Sequence, residues 1–284
     1  MSGAFAADWL ALREPADGAA RSFRVLDAFA AGLRGRDPVV LVDLACGTGS
    51  TLRAVSPRIR ARQTWRLVDR DPALLEAAVR APRPAGVSVE ARRMDLAADV
   101  EAALALEADA VTLSAFLDLA SADWIGRLVA AAARHGRPVY AALSYDGRVG
   151  CSPADPLDAA VLAAFDAHQR TDKGLGGALG PAAARHALDA FAAAGFEVAS
   201  DRADWALGAA HRALQARLIE GWHDAVAETG RLEPGALDGW RARRLAAVAD
   251  GRSRLVVGHV DLYARPPAAP RSSPTSHSTS SPSR

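Results

Sequence analysis

The sequence is short of cysteine, of lysine and of net charge. Its 2 cysteines, Cys46 and Cys151, exclude a disulfide framework and a cysteine-built metal cluster, and a reducing cytoplasm is the expected setting. Lys173 is the only lysine. Arginine carries the remaining positive charge, which together with the alanine excess reads as the coding bias of a GC-rich bacterium. A net charge of +1 supplies no field to draw the chain to nucleic acid or to an anionic membrane, so neither partner is expected. No apolar run reaches membrane-spanning length. The N-terminus M-S-G-A-F-A-A-D-W-L lacks the basic region that opens a signal peptide, so none is expected. His211, His223 and His259 have no ligand spacing with one another or with cysteine, and no metal site is expected.

What is present is a chain of 284 residues, half of them hydrophobic, with both charge signs mixed. That length buries a sizeable core and suits one large or two small domains. From residue 39 the pattern alternates between short apolar β-forming runs and helical stretches. Strands are expected at 39–44, 64–69, 87–92, 109–114 and 138–144, with helices from about Ser50, from Pro72 behind an Asp71 cap, near 97–106, and near 121–134 behind Ser121. Repeated βα units favour an α/β fold, a doubly wound parallel sheet with helices on both faces. Further strands fit Phe196–Trp205 and Arg254–Ala264. The expected organisation is an N-terminal helical cap at 1–35, a main domain at 36–265 with helical insertions at 151–181 and 207–250, and a Ser/Pro-rich disordered tail at 266–284.

The most informative stretch is Val39–Thr51, V-V-L-V-D-L-A-C-G-T-G-S-T. A buried strand there delivers its carboxyl end into a glycine turn that lets a ligand approach the backbone. A dinucleotide fingerprint needs a third glycine three positions after Gly49. Leu52 stands there instead, and the upstream Asp43 disfavours a pyrophosphate and suits a cation.

The run Asp43-Leu44-Ala45-Cys46-Gly47-Thr48-Gly49 resembles the first motif of class I S-adenosylmethionine (SAM) dependent methyltransferases. Three further segments add to the resemblance. Asp69, followed by Arg70, ends the second strand twenty residues after Gly49, where an acid accepts ribose hydroxyls. Asp95 and Leu96 follow the third strand, where the family receives the adenine. Ser114-Ala115-Phe116-Leu117-Asp118 ends the fourth, where the family backs the methionine portion and begins the acceptor pocket. The resemblance implies a seven-stranded Rossmann-like sheet with its last strand antiparallel, and SAM as cofactor. Arg13, on an N-terminal helix that often caps the cofactor in the family, is the candidate for its carboxylate.

Methyl transfer from a sulfonium is an in-line displacement, in which the protein mainly positions the acceptor and excludes water. A base is needed only if the acceptor must lose a proton. His168, Asp118 and Tyr145 are the candidates for that role. Asp146, Arg148, Gln169 and Lys173, in and around the segment after the fifth strand, are the candidates for binding the acceptor. The glycine-rich run Lys173-Gly174-Leu175-Gly176-Gly177 suits a lid. Trp222 and Trp240 lie on amphipathic stretches and read as core. The reading is a SAM-dependent methyltransferase with a small-molecule acceptor. Rival readings are a nucleic-acid or protein methyltransferase, a non-catalytic SAM-binding module, and a nicotinamide oxidoreductase, the last disfavoured by Leu52. The missing Asn-Pro-Pro-aromatic motif weighs against methylation of amino groups on bases. The acceptor, the methylated atom and the oligomeric state stay open.

Overall fold

The structure, a computed structural model, describes residues 7–267. Residues 1–6 of the expected cap and 268–284 of the expected tail lie outside that range. Two helices lead in, α1 (Ala7–Ala20) and α2 (Phe23–Gly32), the second capped by Ser22, whose hydroxyl accepts from the amide of Val25. The expected alternation follows as β1 (Val39–Leu44), α3 (Ser50–Val55), β2 (Gln63–Asp69), α4 (Pro72–Arg80), β3 (Val87–Arg93), α5 (Leu96–Ala105), β4 (Ala110–Ser114), α6 (Ala122–Arg134) and β5 (Val139–Ser152). Side chains of Asp71, Asp95 and Ser121 cap α4, α5 and α6 by accepting from backbone amides in the first turn; Asp71 and Ser121 are the caps the sequence places, and the cap at Asp95 is added by the structure. The second half contains α7 (Asp158–Gln169), α8 (Ala183–Ala193), β6 (Glu197–Arg202), β7 (Trp205–Leu207), α9 (Arg212–Thr229), α10 (Pro234–Ala249) and β8 (Arg254–Arg265).

The strands form one sheet in the order β3-β2-β1-β4-β5-β8-β6, with β7 also on β8. Strands β1 to β5 pair in parallel, and β8 runs antiparallel to β5, β6 and β7. Alternating residues of β1 serve opposite faces. Val42 and Leu44 join α5, α6 and α8 in one core; Val39 and Leu41 join α2, α3 and α4 in the other. Chain order reverses between β1 and β4, which leaves a crevice at their carboxyl ends.

Two expectations change. The fifth strand does not end near Ser144. Its outer half, Val149–Ser152, pairs with Val257–Arg254 of β8, after register irregularities between Ala141 and Ser144 and between Tyr145 and Val149. Read alone, Asp146-Gly147-Arg148 looks like a turn; a partner from the far end of the chain keeps it in the strand. The single strand expected over Phe196–Trp205 is two, which makes eight strands among the described residues rather than seven. It breaks because Ala203 and Asp204 turn inward: the Ala203 amide donates to the His259 carbonyl (2.9 Å), and the Asp204 carboxylate accepts from Arg148 and from the His259 amide.

The outer halves of β5 and β8, with β7, form a β-arm beyond the parallel sheet. Helices α7, α9 and α10 pack on this arm in a third core with Tyr145, Trp205, Trp222 and Trp240. Arg244 is buried there and forks onto Asp158, which also accepts from the indole of Trp240. No helix among the described residues is long and apolar enough to cross a membrane.

Candidate active site

One cavity of about 1010 Å³ lies over the carboxyl ends of the parallel strands and continues beneath the helices on the β-arm. Pockets for one small molecule run to roughly 300–1,000 Å³, so this space admits two ligands side by side.

The first half is built from the glycine turn and the ends of β2, β3 and β4. Ala45, Cys46, Gly47 and Thr48 line it. Gly47 and Gly49 hold left-handed φ values of +54° and +84°, which glycine adopts without strain. Ala45 and Ala115 hold φ of +50° and +51° without being glycine, each just past the end of a parallel strand. Leu143, at +55° in the β5 irregularity, is held by Asp261, which accepts from its amide (2.8 Å). All three line the cavity, so strained backbone is concentrated at this site.

Asp69 ties the turn to β2. One carboxylate oxygen accepts from the Gly47 amide (2.9 Å) and the other from the Asp71 amide (3.0 Å). Each oxygen retains capacity for a further donor. Arg70, Asp95, Leu96 and Ser114 line the same half, Asp95 while capping α5 and Ser114 while accepting from the buried Arg21 (3.0 Å). Asp43 and Gly49 do not line the cavity. Asp43 is fully buried beneath the turn and accepts from Thr112 (2.7 Å); burial raises its pKa to about 7, and it stands behind the turn rather than in the cavity wall. Gly49 faces Ala78 of α4. Burial holds the Cys46 thiol protonated, with a pKa well above its usual value.

The second half is aromatic. Trp9, Tyr145, Phe165, Trp205 and Trp222 line it, while Phe116 packs on Trp124 at the β4 end of the first half. Arg13 lies over the Trp205 ring (4.9 Å) and donates twice to Asp17 (2.9 and 3.1 Å), which also accepts from the Trp205 indole (3.0 Å). This places Arg13 at the aromatic end rather than at the glycine turn alone. Asp118 sits between the halves. It is buried, its Oδ1 has no hydrogen-bond partner among the described residues, and burial raises its pKa to about 6 against the opposing pull of backbone amides and Arg13.

The Tyr145 hydroxyl donates to Asp166 (2.8 Å), and burial together with that carboxylate raises its pKa further, which keeps the phenol protonated. Asp146 and Arg148 do not line the cavity, contrary to expectation: Arg148 is spent on Asp146 and on a two-pronged pair with Asp204 (2.7 and 2.8 Å) that braces the arm. His168, Gln169 and Lys173 do line it. His168 Nε2 meets Glu228 (3.0 Å) and its Nδ1 faces the Lys173 ammonium (3.4 Å), whose pKa burial lowers. The expected lid is a docked turn: Asp172 bridges to Gly177, Leu175 packs against the core, and Gly174 lies toward Arg70 at the end of β2. Among the described residues, no group of three or more His, Cys, Asp or Glu side chains is placed to hold a metal ion.

Sequence reading missed His259, Trp205 and Trp222 as lining residues. His259 on β8 stands opposite Tyr145, is 5% exposed, and has no hydrogen-bond partner for Nδ1 among the described residues. Burial, reinforced by Arg13, lowers its pKa to about 3. The available signal was polar His259 and Asp261 two apart in an otherwise apolar strand, which places both on one buried face. Trp222 belongs to the core and to the cavity wall at once.

The chain matches no protein-family model and no curated protein sequence. Solved structures to which it is similar include the cyclopropane synthase MmaA2 from Mycobacterium tuberculosis, 13% identical over 84% of this chain and 82% of that one, with a TM-score of 0.46. A SAM-dependent methyltransferase from Geobacter sulfurreducens in complex with S-adenosyl-L-homocysteine is 16% identical over 87% and 92%, with a TM-score of 0.45. Geranyl diphosphate methyltransferase in complex with SAM is 16% identical over 84% of each chain, with a TM-score of 0.41. The strand order, with an antiparallel β8 beside β5, gives the fold independently of these likenesses. It is a Rossmann-like fold of the class I methyltransferase type.

Proposed function

We propose that the chain is a SAM-dependent methyltransferase acting on a small-molecule acceptor. The observation that carries this reading is the two-part cavity. Its first half draws together four segments far apart in the sequence: Ala45–Thr48, Asp69 with Arg70, Asp95 with Leu96, and Ser114. Its second half is roofed by α1, α7 and α9, which suits a small acceptor better than a polymer. The residues fit the cofactor. The glycine turn offers close backbone approach for the methionine portion, Asp69 has spare acceptor capacity for a ribose diol, and Asp95 and Leu96 stand where an adenine edge would lie.

When bound, SAM supplies a methyl carbon activated by positively charged sulfur. The protein's part is to hold the acceptor in line, to exclude water with the docked turn and α1, and to take a proton where the acceptor carries one. Asp118, with a pKa raised to about 6 by burial, is an ionised base at neutral pH and stands between the halves.

Calorimetry with S-adenosylhomocysteine and with NAD tests the cofactor: the first should bind and the second should not. Heat from NAD with none from S-adenosylhomocysteine would overturn the reading. A screen of metabolite extracts with methyl-labelled SAM then tests transfer.

A further inference from the structure

The cavity is longer than one cofactor needs. From β2 to β8 it crosses four inter-strand spacings, about 19 Å at ~4.8 Å each. The far end combines two features. Its walls hold five of the chain's Trp, Tyr and Phe residues, types that make up only 6% of the sequence. Among these walls stand Asp118 and His259, which both line the cavity and each carry one solvent-closed polar atom, Oδ1 and Nδ1, with no hydrogen-bond partner among the described residues. An unpaired buried polar atom is costly, and a ligand toward which these two side chains turn supplies the missing partner.

The ring walls narrow the ligand's shape and the arginine its polar group. Stacked and edge-on aromatic contacts favour a flat ring over a puckered aliphatic of equal area. Arg13 already lies across the Trp205 face, and His259 packs near that ring (centroids 4.9 Å). With Nε and Nη2 committed to Asp17, Nη1 makes no hydrogen bond among the described residues. A hydroxyl at this end accepts from Nη1 with its oxygen while donating its proton to the Asp118 carboxylate.

We propose that the acceptor is a flat aromatic molecule bearing a hydroxyl group, its ring among Trp9, Trp205 and Trp222 and its hydroxyl at Asp118, His259 and Arg13, and that this oxygen takes the methyl group. The proposal rests on the methyltransferase reading above. In the step, an oxygen lone pair forms the new O–C bond as the C–S bond breaks, and that electron pair stays on sulfur. The hydroxyl proton passes to the Asp118 carboxylate and from there to water. The products are an aryl methyl ether, neutral S-adenosylhomocysteine and one proton.

The test uses the full chain saturated with S-adenosylhomocysteine, whose own binding is measured first. 2-Naphthol, 2-naphthylamine and 2-decalol are then titrated by calorimetry. The proposal expects 2-naphthol to bind about tenfold tighter than either, the worth of one good polar contact or of ring stacking. Trp222→Leu should erase the advantage over 2-decalol and keep the affinity for S-adenosylhomocysteine. With methyl-labelled SAM, label should appear in 2-methoxynaphthalene, and Asp118→Asn should slow that roughly 100-fold while retaining 2-naphthol binding. Equal or tighter binding of 2-naphthylamine or 2-decalol overturns the proposal, as does S-adenosylhomocysteine binding with no affinity for 2-naphthol. Those outcomes leave the methyltransferase reading standing. Absence of S-adenosylhomocysteine binding overturns that reading and this proposal together.

Discussion

Asp118 and His259 are both held away from charge by burial, with opposite consequences for proton traffic. At neutral pH His259 is a neutral imidazole that exchanges hydrogen bonds, while Asp118, with its pKa raised to about 6, is a carboxylate that takes protons. Turnover that depends on Asp118 should therefore rise as pH increases through about 6 and then level, and Asp118→Asn should remove that limb from a pH–rate profile. Stability runs the other way. The fold favours the protonated carboxyl, so that contribution is complete below the unfolded pKa of about 3.9 and is lost as pH rises through the folded value. Asp118→Asn should thus stabilise the protein at pH 8 by on the order of 1–3 kcal/mol and hardly at all at pH 4, as read by urea denaturation at the two pH values. Asp69 makes the contrasting case. Its carboxylate holds two backbone amides and faces the cavity, so Asp69→Ala should weaken S-adenosylhomocysteine binding by about 1–3 kcal/mol in calorimetry. Asp71→Ala, which removes the α4 cap from a residue at the cavity's edge, should weaken that binding less than Asp69→Ala does.

At the scale of elements, the β-arm decides where the second half of the cavity lies. Helices α7 and α10 are joined by the buried Arg244 and its partner Asp158, with the Trp240 indole on the same carboxylate. Removing the acid would strand a buried guanidinium. Asp158→Ala should therefore destabilise by about 3–5 kcal/mol in denaturant melts, far more than a surface pair would. The docked turn is similarly specific. Gly176 has φ of +82°, and a Cβ there would stand 3.1 Å from Ser121 Cβ, so any side chain is both strained and crowded. Gly176→Val should undock the turn, which limited proteolysis between residues 170 and 180 would detect.

For the whole molecule, α1 closes the site over both halves. Leu10 reaches toward Gly47, Glu14 grips Arg53, which in turn donates to the Thr48 carbonyl, and Trp9, Arg13 and Asp17 face the cavity. Ligand in the first half thus stabilises the whole assembly of sheet and cap. At 100-fold excess over its dissociation constant, S-adenosylhomocysteine should add about 2.7 kcal/mol and raise Tm by roughly 5–10 °C for a domain of this size. NAD at the same concentration should leave Tm unmoved. A thermal melt with each ligand checks both.

By itself the sequence determined the parallel half of the molecule. Local information sufficed there: apolar runs followed by helical stretches, two of them behind caps at Asp71 and Ser121, set the βα units, and Gly47 with Gly49 set the turn that places Asp69 beside it. The same local logic located most of the first half of the cavity, because each of its residues follows directly on a strand end. Only the tertiary structure decided the rest. Asp43 was legible as part of the motif but not as a buried support, since burial depends on what packs above it. Arg148 and Asp146 look like free polar groups until Asp204, from another strand, claims the guanidinium. Tyr145 and His259 become neighbours solely because β5 and β8 pair antiparallel across more than a hundred residues of chain. Trp9, Trp205 and Trp222 come from α1, β7 and α9, and only the packing of the third core brings them to one cavity. Periodicity assigns a side chain to a face; which distant element covers that face is fixed by non-local pairing and by the packing it brings about.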